Sequence, residues 1–347
     1  MMPAWLTILF LAISTSFSPS LSPAADEIDD LLDSYRGNVP GASLLVLRDG
    51  KAVVRRSYGL ADLETRAAIT PGTNFRLASV TKQFTAAAIL LLMEDRRLSL
   101  DDRISRWLPS LPPATEPVTV RHLLTHTSGL IDYEDVMAPG TKVQVHDEDV
   151  LTLLEPHDST YFKPGSDYRY SNSGYALLAL TVERASGKRF ASFLDERIFR
   201  KLQMTATVAH EEGVSTVSHR AFGHTLRDGS WIRKDQSSTS AVLGDGGIYS
   251  SIDDLAKWDA ALYDSRLLSD ESRRLAFSPH TPTKIEGVSY GFGWRISGET
   301  LSHTGETSGF RNVIIRYPAR RLTVIMLTNR DDPEPYEMAE SIAKRFF

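Results

Sequence analysis

From Ala86 to Met93 the chain reads Ala-Ala-Ala-Ile-Leu-Leu-Leu-Met, eight apolar residues without interruption. The stretch is rich in good helix formers, and with its flanks it predicts a helix over Thr81–Asp95. A helix that is apolar on every side has no face to offer water, so the fold must enclose it completely. With 347 residues, 41% of them hydrophobic, the chain has the material for such a core. The length predicts two domains, or one large domain carrying an insertion.

The two ends of the chain read differently from this middle. Ala42 to Leu47 and Ala52 to Val54 flank Asp49-Gly50, a strong hairpin signal. Asn312 to Tyr317 and Leu322 to Thr328 are β-branched apolar runs parted by Pro318, and Glu337 to Phe347 reads as a closing helix. Strands from both ends are therefore expected in one sheet. Between them, further helices are predicted over Asp147–Glu155, over Gly174–Ser186 with Gly187 as its stop, and over Phe190–Leu202. The polar stretch Thr205–Ser240 reads as loops.

A net charge of -5 gives no broad basic surface, so nucleic acid is not expected as a partner. The chain has no cysteine, which excludes disulfides and thiolate metal sites. The apolar run Leu6 to Ile13, the Ser/Pro-rich sequence after it and the small-x-small triplet Ser22-Pro23-Ala24 read as an export signal over residues 1–24, cleaved before Ala25. One feature departs from the pattern, because no Lys or Arg precedes Arg36. The run falls short of the ~20 apolar residues that span a bilayer. An exported protein, periplasmic or secreted, with no stable transmembrane segment after processing is the expectation.

Ser79 and Lys82 stand three apart at the start of the enclosed helix, which puts their side chains on one face with β-carbons about 5–6 Å apart. That spacing suits a hydroxyl and its proton acceptor, and the helix start favours negative charge developing nearby. Ser-x-x-Lys alone is weak, since Ser341-Ile342-Ala343-Lys344 also fits and reads as an ordinary last helical turn. Only Ser79 has company downstream: Tyr170-Ser171-Asn172 and His303-Thr304-Gly305.

In that order the three motifs resemble the serine β-lactamase and DD-peptidase superfamily, in the branch that holds class C β-lactamases, D-alanyl-D-alanine carboxypeptidases, D-aminopeptidases and esterases. Phe75-Arg76-Leu77-Ala78, His122 through Gly129, Pro164-Gly165, Gly246-Gly247-Ile248-Tyr249-Ser250 and Tyr290-Gly291-Phe292-Gly293-Trp294 also look like the family. The resemblance implies an α+β fold, an antiparallel sheet built from both chain ends and flanked by helices. Residues 26–77 and 240–347 would form the α/β domain and 78–239 an inserted, mostly helical one, with the active site between.

Carried over by motif, Ser79 is the nucleophile, Lys82 its proton partner and Tyr170 a general base. Asn172 contacts a substrate amide, His303, Thr304 and Gly305 form the opposite wall, and the N–H groups of Ser79 and Glu306 make the oxyanion hole. No cofactor is implied. The substrate would be a small molecule or peptide, peptidoglycan-derived peptides among them. A free lysine titrates near about 10.4, so a base role for Lys82 asks for burial and nearby positive charge, and Lys82 with Tyr170 is expected to act as a coupled pair. His303 departs from the Lys-Thr-Gly of most β-lactamases and matches carboxypeptidase-like members. As an imidazolium it would bind a substrate carboxylate, and KM would then rise as pH passes about 6.5. A penicillin-binding receptor that acylates without rapid turnover is the alternative.

Two other patterns are set aside. His122 and His126 have the i, i+4 spacing of a metal pair, but no glutamate sits between them as in His-Glu-x-x-His, and Thr127-Ser128-Gly129 reads as a turn. Gly287-Val288-Ser289-Tyr290-Gly291 fits Gly-x-Ser-x-Gly, yet the strand-like Phe292–Ile296 follows where a nucleophile elbow needs a helix.

Overall fold

The computed structural model describes residues 23–347. The expected leader lies outside the described residues except for Pro23 and Ala24, which open the first helix. Eight strands form the main sheet: β1 (Ala42–Arg48), β2 (Lys51–Tyr58), β3 (Thr281–Pro282), β4 (Ser289–Tyr290), β5 (Arg295–Ser297), β6 (Thr300–Thr307), β7 (Phe310–Tyr317) and β8 (Leu322–Thr328). Their spatial order is β3-β4-β5-β6-β7-β8-β1-β2, antiparallel throughout. The register from Ala42 opposite Thr328 to Arg48 opposite Leu322 joins the two chain ends. Asp49 and Gly50 take φ of +51° and +73°, the left-handed pair that closes a two-residue hairpin.

The principal helices are α1 (Pro23–Leu31), α2 (Lys82–Glu94), α3 (Asp147–Leu154), α4 (Asn172–Ser186), α5 (Leu243–Gly246), α6 (Ile252–Ala261) and α7 (Tyr336–Lys344). Alternation along the strands divides the core into two layers. Leu44, Val46, Val324 and Met326 meet Ile28 of α1 and Ala339 and Ile342 of α7, while Leu45, Leu47, Ile325 and Leu327 join the core around α2 and α4. With both faces covered, β8 is buried at every position, and from Val324 to Leu327 its sequence is an unbroken apolar run rather than an alternating one. As expected, α2 is enclosed, with every residue from Lys82 to Leu92 buried.

Two expectations need correction. The helix over Phe190–Leu202 is α-helical only to Leu194 and widens to a π turn over Asp195–Phe199, which sets the Phe199 ring edge-on to Phe84, 5.8 Å between centroids. Thr205–Ser240 is not all loop. Val208–Ala209 pairs with Ile248–Ser250, and His224–Arg227 with Ser230–Arg233 around Asp228-Gly229. The hairpin was hard to read because its apolar residues Leu226 and Ile232 stay exposed and supply no buried alternation. Among the described residues no helix is long and apolar enough to cross a membrane.

Candidate active site

Ser79 lies in a 3₁₀ turn, Ala78–Thr81, that feeds directly into α2. The turn begins with Ala78 at φ +51°, a left-handed conformation that costs a residue with a β-carbon about 1–2 kcal/mol. One turn on, Lys82 is fully buried and its Nζ lies 3.1 Å from Ser79 Oγ. Nζ also donates to Asn172 Oδ1 and to the backbone oxygen of Asp245, each at 2.9 Å. Three donors thus meet three oxygens, which fixes the amine in place. Passing the Ser79 hydrogen to a neutral amine would use the same Oγ–Nζ line.

The second motif arrives on the start of α4. Ser171 caps the helix by accepting from Gly174 N–H, and its own N–H donates to Nδ1 of the buried His126. Asn172 is engaged at both ends, Oδ1 to Lys82 and Nδ2 to Glu134 Oε1 at 3.0 Å. Tyr170 packs at a tilt against His126, 4.3 Å between centroids, and its hydroxyl is buried with no hydrogen-bond partner among the described residues. Lys82 Nζ stands 4.9 Å from the centre of the Tyr170 ring. The pair expected to share protons is therefore adjacent through the ring face, with no hydrogen bond joining amine and phenol.

The third motif lies along β6. A β-carbon on Gly305 would sit 2.0 Å from the carbonyl oxygen of Leu77, so only glycine lets this strand close against the turn that carries Ser79. Ser79, Asn172, Asp245 and Glu306 then line one small cavity of about 60 Å³. His303 is buried. Its Nδ1 faces the backbone oxygen of Thr304 at 2.6 Å, an acceptor only, so Nδ1 carries the hydrogen and Nε2 accepts from the Tyr290 hydroxyl at 2.9 Å. Burial, reinforced by the positive charges of Arg295 and Lys82, holds its pKa well below the usual imidazole value. Of the two roles open to His303, cationic or hydrogen-bonding, its surroundings favour the second, a ring whose two nitrogens are both occupied.

The cation on this wall is a residue that the sequence reading missed. Arg295 on β5 reaches Thr304 Oγ1 at 3.5 Å, its only side-chain hydrogen bond among the described residues, and its guanidinium carbon is 6.0 Å from the Tyr170 ring centre. It opens onto a second cavity of about 580 Å³ lined also by Tyr168, Tyr170 and Lys284. The available signal was its place directly after Tyr290–Trp294, a stretch already marked as family-like.

The patterns set aside behave as ordinary structure. His122 completes a capping box with Thr119 on the short helix Val120–Leu124, and His126 lies beyond that helix at φ +58°, so the two share no helical face. Ser289 sits in β4 and is followed by β5, with no elbow helix. Lys344 pairs with Glu340 on the exposed side of α7.

Known proteins resemble this chain over most of its length. The family described as Beta-lactamase matches residues 25–346. Penicillin-binding protein 4* of Bacillus subtilis (strain 168) is 34% identical over 316 residues, 86% of this chain and 70% of that protein. The D-aminopeptidase of Gluconobacter oxydans (strain 621H) is 28% identical over 342 residues, which are 95% of this chain; the chain spans only 62% of that relative's length. Among solved structures, the octameric penicillin-binding protein homologue from Pyrococcus abyssi superposes with a TM-score of 0.81 at 28% identity, covering 93% of this chain and 76% of that one.

Proposed function

Since the chain belongs to the beta-lactamase family, whose members here are serine hydrolases and their relatives, we propose that it forms an acyl-enzyme on Ser79 and opens an amide or ester bond as a DD-carboxypeptidase- or esterase-like enzyme. The observation that carries this reading is the 3.1 Å approach of Ser79 Oγ to the buried Lys82 Nζ. Oγ attacks the substrate carbonyl carbon while its hydrogen passes to the Lys82–Tyr170 pair, and the carbonyl oxygen takes negative charge facing the N–H groups of Ser79 and Glu306. The C–N or C–O bond then breaks, the pair returns the proton to the leaving group, and water repeats the sequence to free Ser79.

Arg295 supports a substrate that bears a carboxylate beyond the scissile bond, because it is a part-buried cation with one weak partner at the edge of a roomy cavity. Neutral His303 removes the cationic wall residue of a dedicated lactamase. A second reading, aminopeptidase-like cleavage, is favoured by Glu134, an exposed carboxylate lining the Ser79 cavity where it would meet a free ammonium group. On the apolar run Leu6–Ile13 we read the chain as exported, periplasmic or secreted.

The test is a parallel rate panel with a short-chain nitrophenyl ester, a D-Ala-D-Ala peptide, an amino-acid amide and a chromogenic cephalosporin, on wild type and Ser79→Ala. Ester turnover with slow lactam turnover is expected, all of it lost in Ser79→Ala, with Lys82→Ala slower by about 10²- to 10⁴-fold. Turnover that survives Ser79→Ala sinks the proposal. A lasting mass adduct with a β-lactam and no turnover of any substrate would mean the receptor reading instead.

A further inference from the structure

Asp147, at the start of α3, is 8% exposed and takes no part in the chemistry above. Its Oδ2 accepts from the backbone N–H of Leu243 and its Oδ1 from that of Gly244, both at 2.9 Å. The same turn is gripped from the other side, where Thr85 of α2 donates through Oγ1 to the carbonyl of Gly244 at 2.7 Å. It is also pressed onto α4, since a β-carbon on Gly244 would lie 2.2 Å from the carbonyl oxygen of Tyr175. The next carbonyl along, that of Asp245, is the one that holds Lys82 Nζ.

We propose that Asp147 is a positioning residue for Lys82: by fixing the N–H groups of Leu243 and Gly244 it sets the α5 turn whose Asp245 carbonyl keeps Nζ within reach of Ser79 Oγ. This rests on the reading of Lys82 as the proton partner of Ser79. Two amide donors converging on two carboxylate oxygens define the position of α5 far more tightly than packing alone, and a catalytic group displaced by about 1 Å can lose 10²-fold in rate.

The device is sensitive to protonation. Burial pushes Asp147 up to about 7, against the N–H bonds of Gly244 and Leu243, with the charge of Glu183 adding to the rise. Glu183 faces it from α4 and Asp245 from α5; His210, Glu211 and Glu212 line the same cavity, as do His146 and Glu148 beside it in sequence. Burial keeps His210 below the usual imidazole value, so that ring is neutral where Asp147 titrates. Ionised, the carboxylate accepts from both N–H groups; protonated, one oxygen becomes a poor acceptor and the turn is held by one bond fewer.

Asp147→Asn keeps the shape but points an NH2 group at one of the two donors. With a nitrophenyl ester between about pH 5.5 and 8.5, kcat should fall by about 10- to 100-fold while KM moves less than about twofold, and the rise of kcat near pH 7 expected of the wild type should be absent. Thr85→Val releases the opposite grip and leaves the carboxylate in place. It should lower kcat while keeping the rise near pH 7, and it carries the test, together with the wild-type profile, if Asp147→Asn does not fold. A merely structural role would lower the melting temperature and leave kcat per folded molecule and its pH profile unchanged; that result overturns the inference. Ser79→Ala separates the two claims: activity lost there yet indifferent to Asp147→Asn defeats this inference alone, whereas activity surviving there defeats the reading beneath it.

Discussion

At residue 303 the sequence leaves a cationic and a hydrogen-bonding role open, and the surroundings of the imidazole favour the neutral, hydrogen-bonding one. Tyr290 gives a hydrogen to one nitrogen, Thr304 takes one from the other, and burial beside Arg295 and Lys82 disfavours a second proton. KM for an anionic substrate should therefore stay flat from about pH 5.5 to 8.5, and a rise through about pH 6.5 would restore the imidazolium. The cation on this wall is instead Arg295, which reaches Thr304 Oγ1 at 3.5 Å. Arg295→Ala should raise KM for a carboxylate-bearing substrate by about 10- to 100-fold, the worth of one charged hydrogen-bonding contact, and leave KM for a neutral ester nearly unchanged. Equal effects on both substrates would show that Arg295 shapes the site without binding the anion.

The cavity exists because three elements approach one another more closely than ordinary side chains permit. Gly305 brings β6 onto Leu77, and Gly293, at φ +77°, brings the β5 approach onto the first turn of α2, where a β-carbon would lie 2.7 Å from the carbonyl oxygen of Lys82. Neither contact can yield at the far end of a flexible side chain, since both partners are backbone. Gly305→Ala should lower stability by about 1–3 kcal/mol through overpacking and also reduce kcat, because relief requires β6 to move away from Ser79. Thermal unfolding and ester turnover measured on the same preparation check this; an unchanged melting temperature would mean that β6 is free to shift. Ala78 makes the complementary point, as its left-handed backbone turns the chain from Leu77 into Ser79.

Over the whole molecule, two buried carboxyl groups make stability depend on pH in a direction opposite to that of an ordinary ion pair. Burial raises Asp147 to about 7, and it raises Asp245 well above the carboxylate range despite the nearby charge of Lys82. Between the ordinary aspartate value and about 7 the folded chain retains protons that the unfolded chain releases, so rising pH favours unfolding through these groups. The contribution is fully present below the unfolded pKa and is lost as pH rises through the folded one. For Asp147 the difference from 3.8 to about 7 amounts to about 4 kcal/mol. Urea unfolding of Asp147→Asn should accordingly depend less on pH between about 4 and 7 than that of wild type; parallel curves would show that Asp147 is ionised throughout.

The enclosed helix, the hairpin at Asp49-Gly50, the strands joining both chain ends and the one-turn spacing of Ser79 and Lys82 were legible in the sequence, because each follows from local propensity, turn chemistry or apolar patterning within a few residues. The His224–Arg233 hairpin and the π turn after Leu194 were not, since the first buries little apolar surface and the second answers to packing against Phe84. Within the site, the sequence supplied the residue types and tertiary structure decided their states. That His303 is neutral, that Arg295 bears the wall's charge, and that Asp147 grips the turn behind Lys82 all depend on burial and on partners distant in the chain. Electrostatic and desolvation effects act through space, and a sequence orders residues only along its length.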